Sequence, residues 1–222
     1  MDVDTVSKKN SHEEILNKFK NENIDILIGT QMVVKGHHFP NVTLVGVIAA
    51  DSSLNIDDYR ASERTFQILT QVAGRAGREK FDGNVIIQTY NPSSFSIEYS
   101  KQQNYELFFN TEVALRKQLK YPPFCDIIVI GFNSIILNEL TKVSNQVYNY
   151  IMNKLNRDKF MIFKPMPSPI DKIQNRHRWR IIIKGIMDEE TNEILNNCLK
   201  EIYEQNLKST RISIDVNPNN MM

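Results

Sequence analysis

The 222-residue sequence predicts two α/β units in series: a mostly parallel α/β sheet over residues 1–120, then a small α+β unit over 121–222. Three observations lead to that reading. Apolar runs at residues 24–29, 42–50 and 85–90 are separated by helical periodicity and close on polar motifs, as strands of a parallel sheet do. Tyr121-Pro122-Pro123-Phe124 then forbids helix continuation and marks a boundary. Beyond it the elements read β-α-β-β-α-β, the ferredoxin-like plan.

Taken in order, Ser11 and Glu14 form a capping box, and Ile15, Leu16 and Phe19 give the helix behind it an apolar stripe. Residues 24–29 are β-branched, apolar and end in Gly29, which predicts a short strand. The nearly continuous apolar run at 42–50 suits a parallel strand covered on both faces, with Asp51 closing it. A helix over 61–76, a strand over 85–90 and a helix-rich stretch over 95–120 complete the first unit. In the second, strands are expected at 126–132, 160–163, 178–184 and 211–216, helices at 137–156 and 189–205. A Pro-rich loop falls at 165–169, and the last six residues are expected to fray.

Composition narrows the function classes. Hydrophobic residues at 41% and charged residues at 24% are ordinary for a globular protein, and no apolar run reaches membrane-span length. The start carries no apolar leader core, so the expected compartment is the cytoplasm. Cys125 and Cys198 lie far apart in apolar segments and read as reduced core residues; with four scattered histidines they form no metal-ligand pattern. A net charge of +1 announces no nucleic-acid binder, so any such reading rests on local clusters.

The strongest motif is Gln71-Val72-Ala73-Gly74-Arg75-Ala76-Gly77-Arg78. Two arginines three residues apart share a helical face, and guanidinium groups are suited to the charge that spreads over a transferring phosphoryl group. Taken alone, the same residues also read as a solvated basic helix end capped by Gly77. Upstream stands Gly29-Thr30-Gln31-Met32-Val33-Val34-Lys35-Gly36 at a strand end, where backbone amides and a hydroxyl can hold a phosphate. Its plain alternative is a surface turn at Lys35-Gly36.

Together these stretches resemble motifs V and VI of the superfamily 2 helicases. Leu44-Val45-Gly46-Val47, Tyr59-Arg60-Ala61-Ser62-Glu63-Arg64, Ile87-Gln88-Thr89-Tyr90-Asn91-Pro92, Tyr121-Pro122-Pro123-Phe124 and Ile214-Asp215-Val216-Asn217-Pro218 extend the likeness to the PriA (primosomal protein N′) family. The resemblance implies a second RecA-like helicase lobe followed by a DNA-binding domain, within an ATP-dependent 3′→5′ DNA helicase that recognises stalled forks and reloads the replisome. It implies ATP with Mg2+ as the nucleotide, zinc only in parts of the family absent from this chain, and a monomer. Forked and single-stranded DNA, single-stranded-DNA-binding protein and primosome loader proteins are the implied partners. Arg78 becomes the arginine finger, Arg75 its partner and Gln71 a nucleotide sensor. Gly29 and Thr30 would touch the DNA backbone, with Lys35, Gly36 and Asp51 coupling that contact to the nucleotide cleft. No phosphate loop and no acidic magnesium motif occur, so the chain alone is expected to bind DNA without hydrolysing ATP.

In the second unit Lys172, Arg176, Arg178 and Arg180 cluster around Trp179 and His177. On an extended strand the three arginines share one face, which suits a DNA backbone, with the indole available to stack on a base. Alternatively the strand uses charge against aggregation and Trp179 packs inward. Three classes of function remain open: the motor half, a DNA- or partner-binding module with inherited motor motifs, and a different helicase.

Overall fold

The structure is a computed structural model that describes residues 11–22, 24–30, 33, 42–74 and 83–221. Helix α1 (Ser11–Asn21) buries Leu16 and half-buries Ile15 and Phe19, the stripe its periodicity sets; the expected Ser11 cap lies outside the described side chains. Residues 24–29, expected as a strand, form none. Ile26 and Ile28 are 74% and 75% exposed, and β-branched composition alone does not make a strand.

Strand β1 (Leu44–Val47) occupies the middle of the expected 42–50 run. It leaves through Ala49, in the left-handed region at φ 54°, into the short helix α2 (Asp51–Leu54). Helix α3 (Ala61–Ala73) buries Ala61, Thr65, Phe66, Leu69 and Val72 on one face; residues 75 and 76 lie outside the described region. Strand β2 (Asn84–Ile87) pairs in parallel with β1, Leu44 opposite Asn84 and Val47 opposite Ile87. Helices α4 (Phe95–Lys101) and α5 (Tyr105–Leu119) follow.

Ala50, Leu69 and Ile97 form the core of this part, with Val47, Leu54 and Ile87 against them. Phe108 stacks on Phe66 at a centroid distance of 4.2 Å. The expectation of a strand covered on both faces is corrected: Leu44, Ile48 and Ile86 are 57%, 79% and 61% exposed, so among the described residues one face alone is packed.

After the cis Pro122–Pro123 bond come β3 (Asp126–Ser134), α6 (Leu137–Lys154), β4 (Met161–Ile162), β5 (Met166–Ile173), β6 (Arg176–Gly185), α7 (Glu189–Tyr203) and β7 (Arg211–Val216). The strands form one antiparallel sheet in the order β4-β6-β3-β7, with β5 also running along β6. Ile128, Ile130 and Phe132 of β3 and Ile181 and Ile183 of β6 face the stripe Leu140, Val143, Val147 and Ile151 of α6, and Leu195, Cys198 and Ile202 of α7 close the core. Burying each such side chain contributes roughly 1.5–3 kcal/mol. Burial pushes the Cys198 thiol up to about 12, so it behaves as an inert core group.

Two expectations are corrected here. The stretch 165–169 is largely strand: Met166 pairs with Arg180 and Pro167 with Trp179, and a register shift before Lys172 absorbs the prolines. Proline lacks the N–H a central strand needs, and β5 lies on an edge, where it is tolerated. A tight turn with Gln174 and Asn175 at φ 48° and 61° joins β5 to β6. The tail is also held rather than frayed. Asn217 donates to Ile127 O (2.7 Å) and Asp126 (2.7 Å), and Met221 is buried.

The chain divides into two compact units, one within residues 1–56 and 60–111, the other comprising Asp57–Tyr59 and residues 112–222. The division falls inside α5, upstream of the two prolines, because the end of that helix packs within the second unit. Lys184 Nζ donates to Leu119 O at 3.1 Å, and Arg116 lies over the Tyr59 ring at 5.1 Å.

Gly185 ends β6 beside the Phe160 ring; any Cβ there would collide with that ring and crowd Lys159 O at 2.9 Å. Glu139, in the first turn of α6, accepts from the amides of Lys208 (2.7 Å), Ser209 (3.0 Å) and Thr210 (2.9 Å) and from the Thr210 hydroxyl (2.7 Å). The Thr210 hydroxyl and then these amides hold its carboxyl at about 2, well below the usual range. A depressed folded pKa stabilises above the unfolded value, 4.5, and loses that stabilisation as pH falls toward 2. Glu139→Gln is therefore expected to lower the melting temperature at pH 7 by about 5 °C. The gap to the wild type should close as a thermal-melt series descends from pH 5 to pH 2.

Candidate functional site

Because β1 and β2 run parallel, their carboxyl ends open on one edge of the first unit. Asp51 sits just beyond β1, and Thr89 and Tyr90 just beyond β2. The Asp51 carboxylate accepts from Thr89 Oγ1 (2.8 Å) and the Tyr90 amide (2.8 Å), locking the two strand exits together. The Tyr90 amide, then the Thr89 hydroxyl, hold its carboxyl below the usual range, so it stays ionised. Gly29 and Thr30 are exposed, and Thr30 O accepts from Val33 N at 3.0 Å. Gln71 is exposed in the last turn of α3, which ends at Gly74. Arg75, Arg78, Lys35 and Gly36 lie outside the described residues.

On β6 the three arginines do share one face, and Trp179 lies on the other, packed against the core. What they touch differs from a free DNA-facing row. Arg180 is 4% exposed and donates to the Met221 carbonyl and to Asp57, while its Nε has no partner among the described residues. Arg176 donates to Asn133 Oδ1 and to Ser209 O (2.8 Å). Arg178 is half-buried and Lys172 exposed. Arg180 thus engages groups inside the unit, and half-buried Trp179 packs against the core. The same strand face carries Lys184, 8% exposed, whose Nζ stands 3.4 Å from the centre of the Tyr121 ring. Tyr121 in turn stacks on Tyr59 (5.3 Å, 12°) beneath Arg116, a cation–ring–ring–cation column.

Sequence reasoning passed over a cleft of about 670 Å3 in the second unit, lined by Lys117 of α5 and Lys120 just beyond it, by Arg157 and Lys159 from the α6–β4 turn, and by Lys184 from β6. Cys125, expected in the core, is half-buried and lines this cleft; burial raises its thiol pKa. The available signal was local: the Lys117/Lys120 pair at helical spacing and the Arg157-Asp158-Lys159 run.

Removing Arg180 tests which job it has. Asp57 is 68% exposed at its side chain and stays solvated without its partner, so Arg180→Met is expected to cost about 1–3 kcal/mol, mostly from the orphaned Met221 carbonyl and lost packing. Denaturant melts should show that loss, while the salt dependence of single-stranded DNA binding stays as in the wild type.

Residues 117–219 match the Primosomal protein N C-terminal domain family, and residues 3–80 match the Helicase conserved C-terminal domain family. Replication restart protein PriA of Bacillus subtilis (strain 168) is 42% identical over 224 residues, covering 100% of this chain and 28% of that protein. Proteins of the same name from Synechocystis sp. and Chlamydia pneumoniae are 41% and 34% identical, over 82% and 98% of this chain and 22% and 29% of their own lengths. The chain therefore spans under a third of the relatives it matches. With one stretch matching the Helicase conserved C-terminal domain family and an antiparallel α+β unit matching the primosomal C-terminal family, this chain belongs to the PriA family of replication restart proteins.

Proposed function

We propose that this chain supplies the second RecA-like ATPase lobe and the C-terminal DNA-contacting domain of an ATP-dependent 3′→5′ DNA helicase that restarts stalled replication forks. The observation that supports the reading is the edge of the first unit, where Asp51 ties the exits of β1 and β2 together. In this reading ATP with Mg2+ sits on a partner lobe contributed by residues outside this chain. Arg78 reaches its γ-phosphate, Arg75 assists, and Gln71 senses the nucleotide. Gly29 and Thr30 hold the DNA backbone, and Lys35 and Gly36 relay that contact to the cleft across the loop that Asp51 steadies.

The chemistry asked of these residues is electrostatic. Phosphoryl transfer spreads negative charge over the γ-phosphate oxygens, and a guanidinium brought to them stabilises that charge without any proton transfer. The open apolar face of Leu44, Ile48 and Ile86 fits further sheet or lobe packing there. For the second unit we propose the ferredoxin-like plan, since β7-β3-β6-β4 is the order that plan requires when its second strand is split into β4 and β5. Single-stranded-DNA-binding protein and primosome loaders are the proposed protein partners, and a monomer in the cytoplasm the proposed state.

In protein extended to the relatives' full length, Arg78→Ala is expected to lower DNA-stimulated ATP turnover by about 10³-fold while leaving DNA affinity intact. Turnover that survives the substitution would instead rank the chain as a DNA- or partner-binding module with inherited motor motifs.

A further inference from the structure

The segment Asp57–Tyr59 is flanked in sequence by residues of the first unit yet belongs to the second. Two separate contacts seat it there. Asp57 accepts from one terminal nitrogen of the Arg180 guanidinium, whose other terminal nitrogen donates to the Met221 carbonyl. Two residues on, the Tyr59 ring stacks on Tyr121 at 5.3 Å and 12°, with Arg116 5.1 Å from the Tyr59 centroid and Lys184 3.4 Å from the Tyr121 centroid. The two outer cations are themselves fixed, Arg116 by Glu112 (2.8 Å) and Lys184 by Leu119 O (3.1 Å). Asp58, between the two contacts, is 7% exposed. Burial, then the Asp57 charge, raises the Tyr121 phenol pKa, so the ring that meets Lys184 stays neutral.

The chain on either side of this segment has little slack. Helix α2 ends at Leu54 and α3 begins at Ala61. Leu54 to Asp57 spans about 11 Å at full extension, and Tyr59 to Ala61 about 7 Å. The elements so joined are the ones the motor reading uses. Asp51, which ties the exits of β1 and β2, opens α2, and α3 carries Gln71 in its last turn, ahead of Arg75 and Arg78 in sequence. We propose that Asp57–Tyr59 is a strap that passes a change at the Asp51 edge or at α3 to the second unit, with Asp57 and Tyr59 as positioning residues; this rests on the motor reading. A slack loop absorbs movement, whereas a short segment seated at both contacts must carry it or lose them. In this role neither residue meets nucleotide or DNA. Each acts by fixing where α3 begins. A stack that served the fold alone would change stability and nothing else, while a strap sets how much unwinding each ATP yields.

The test uses protein extended to the relatives' full length and measures DNA-stimulated ATP turnover and strand unwinding side by side on one forked substrate. Tyr59→Ala removes the stack, Tyr59→Phe keeps it, and Asp57→Asn leaves Arg180 an acceptor without the charge. Thermal melts confirm that each folds. Tyr59→Ala is expected to keep turnover within about twofold of the wild type and to lower unwinding per ATP at least about tenfold. Asp57→Asn should lower the same ratio by about threefold, and Tyr59→Phe should match the wild type. An unchanged ratio in Tyr59→Ala, or turnover and unwinding lost in equal proportion, would overturn the proposal and leave the motor reading standing. Should Tyr59→Ala fail to fold, the Asp57→Asn ratio decides in its place, a lowered value supporting the strap and an unchanged one overturning it. A wild-type protein that neither hydrolyses ATP nor unwinds would sink the motor reading, and the strap with it, before any variant is compared.

Discussion

Buried charge is the constraint around which the second unit is arranged. Strand β6 turns Arg176, Arg178, Arg180 and Lys184 toward the sheet face away from α6 and α7, and an ammonium or guanidinium out of water is tolerated only with partners. The chain supplies them from distant places. Asn133 and Ser209 take Arg176, the Met221 carbonyl and Asp57 take Arg180, and Leu119 O with the Tyr121 ring take Lys184. This is why the final residues are held down. It is also why Asp57–Tyr59 belongs to this unit although its sequence neighbours belong to the other.

The first unit follows a simpler rule. Parallel strands bring both exits to one edge, and a single carboxylate, Asp51, receives a hydroxyl and an amide from the segment beyond β2. Ala49 adopts a left-handed backbone just before it, a conformation costing an alanine roughly 1–2 kcal/mol. Strain of that kind persists where the surroundings determine the turn, and here the determinant is the Asp51 clamp. The clamp fixes the two strand exits against each other at one edge of the sheet.

Much of this was legible beforehand. The helix stripes of α3, α6 and α7 announce themselves by apolar spacing, and β7 falls where alternation places it. What misled was long-range. Nothing local distinguishes residues 24–29 from a strand, since composition does not show what a segment lies against. Pro167 and Pro169 signal a loop until β5 is seen to be an edge. For Arg176, Arg178 and Arg180, spacing reveals a shared face but not that Arg180 is buried against Asp57 and Met221. Phe124, Arg157 and Lys184 are too far apart in sequence for any motif to gather them, so the cleft emerges only from the fold.

The central claim is that this chain holds one side of a composite nucleotide site. Its most direct test is DNA-stimulated ATP hydrolysis measured side by side for the 222-residue chain alone and for protein extended to the relatives' length, at equal concentration. The account predicts stimulated turnover from the extended protein and none above background from the chain alone. Turnover by the chain alone would contradict it, because the phosphate-binding half of the site would then have to lie within these residues.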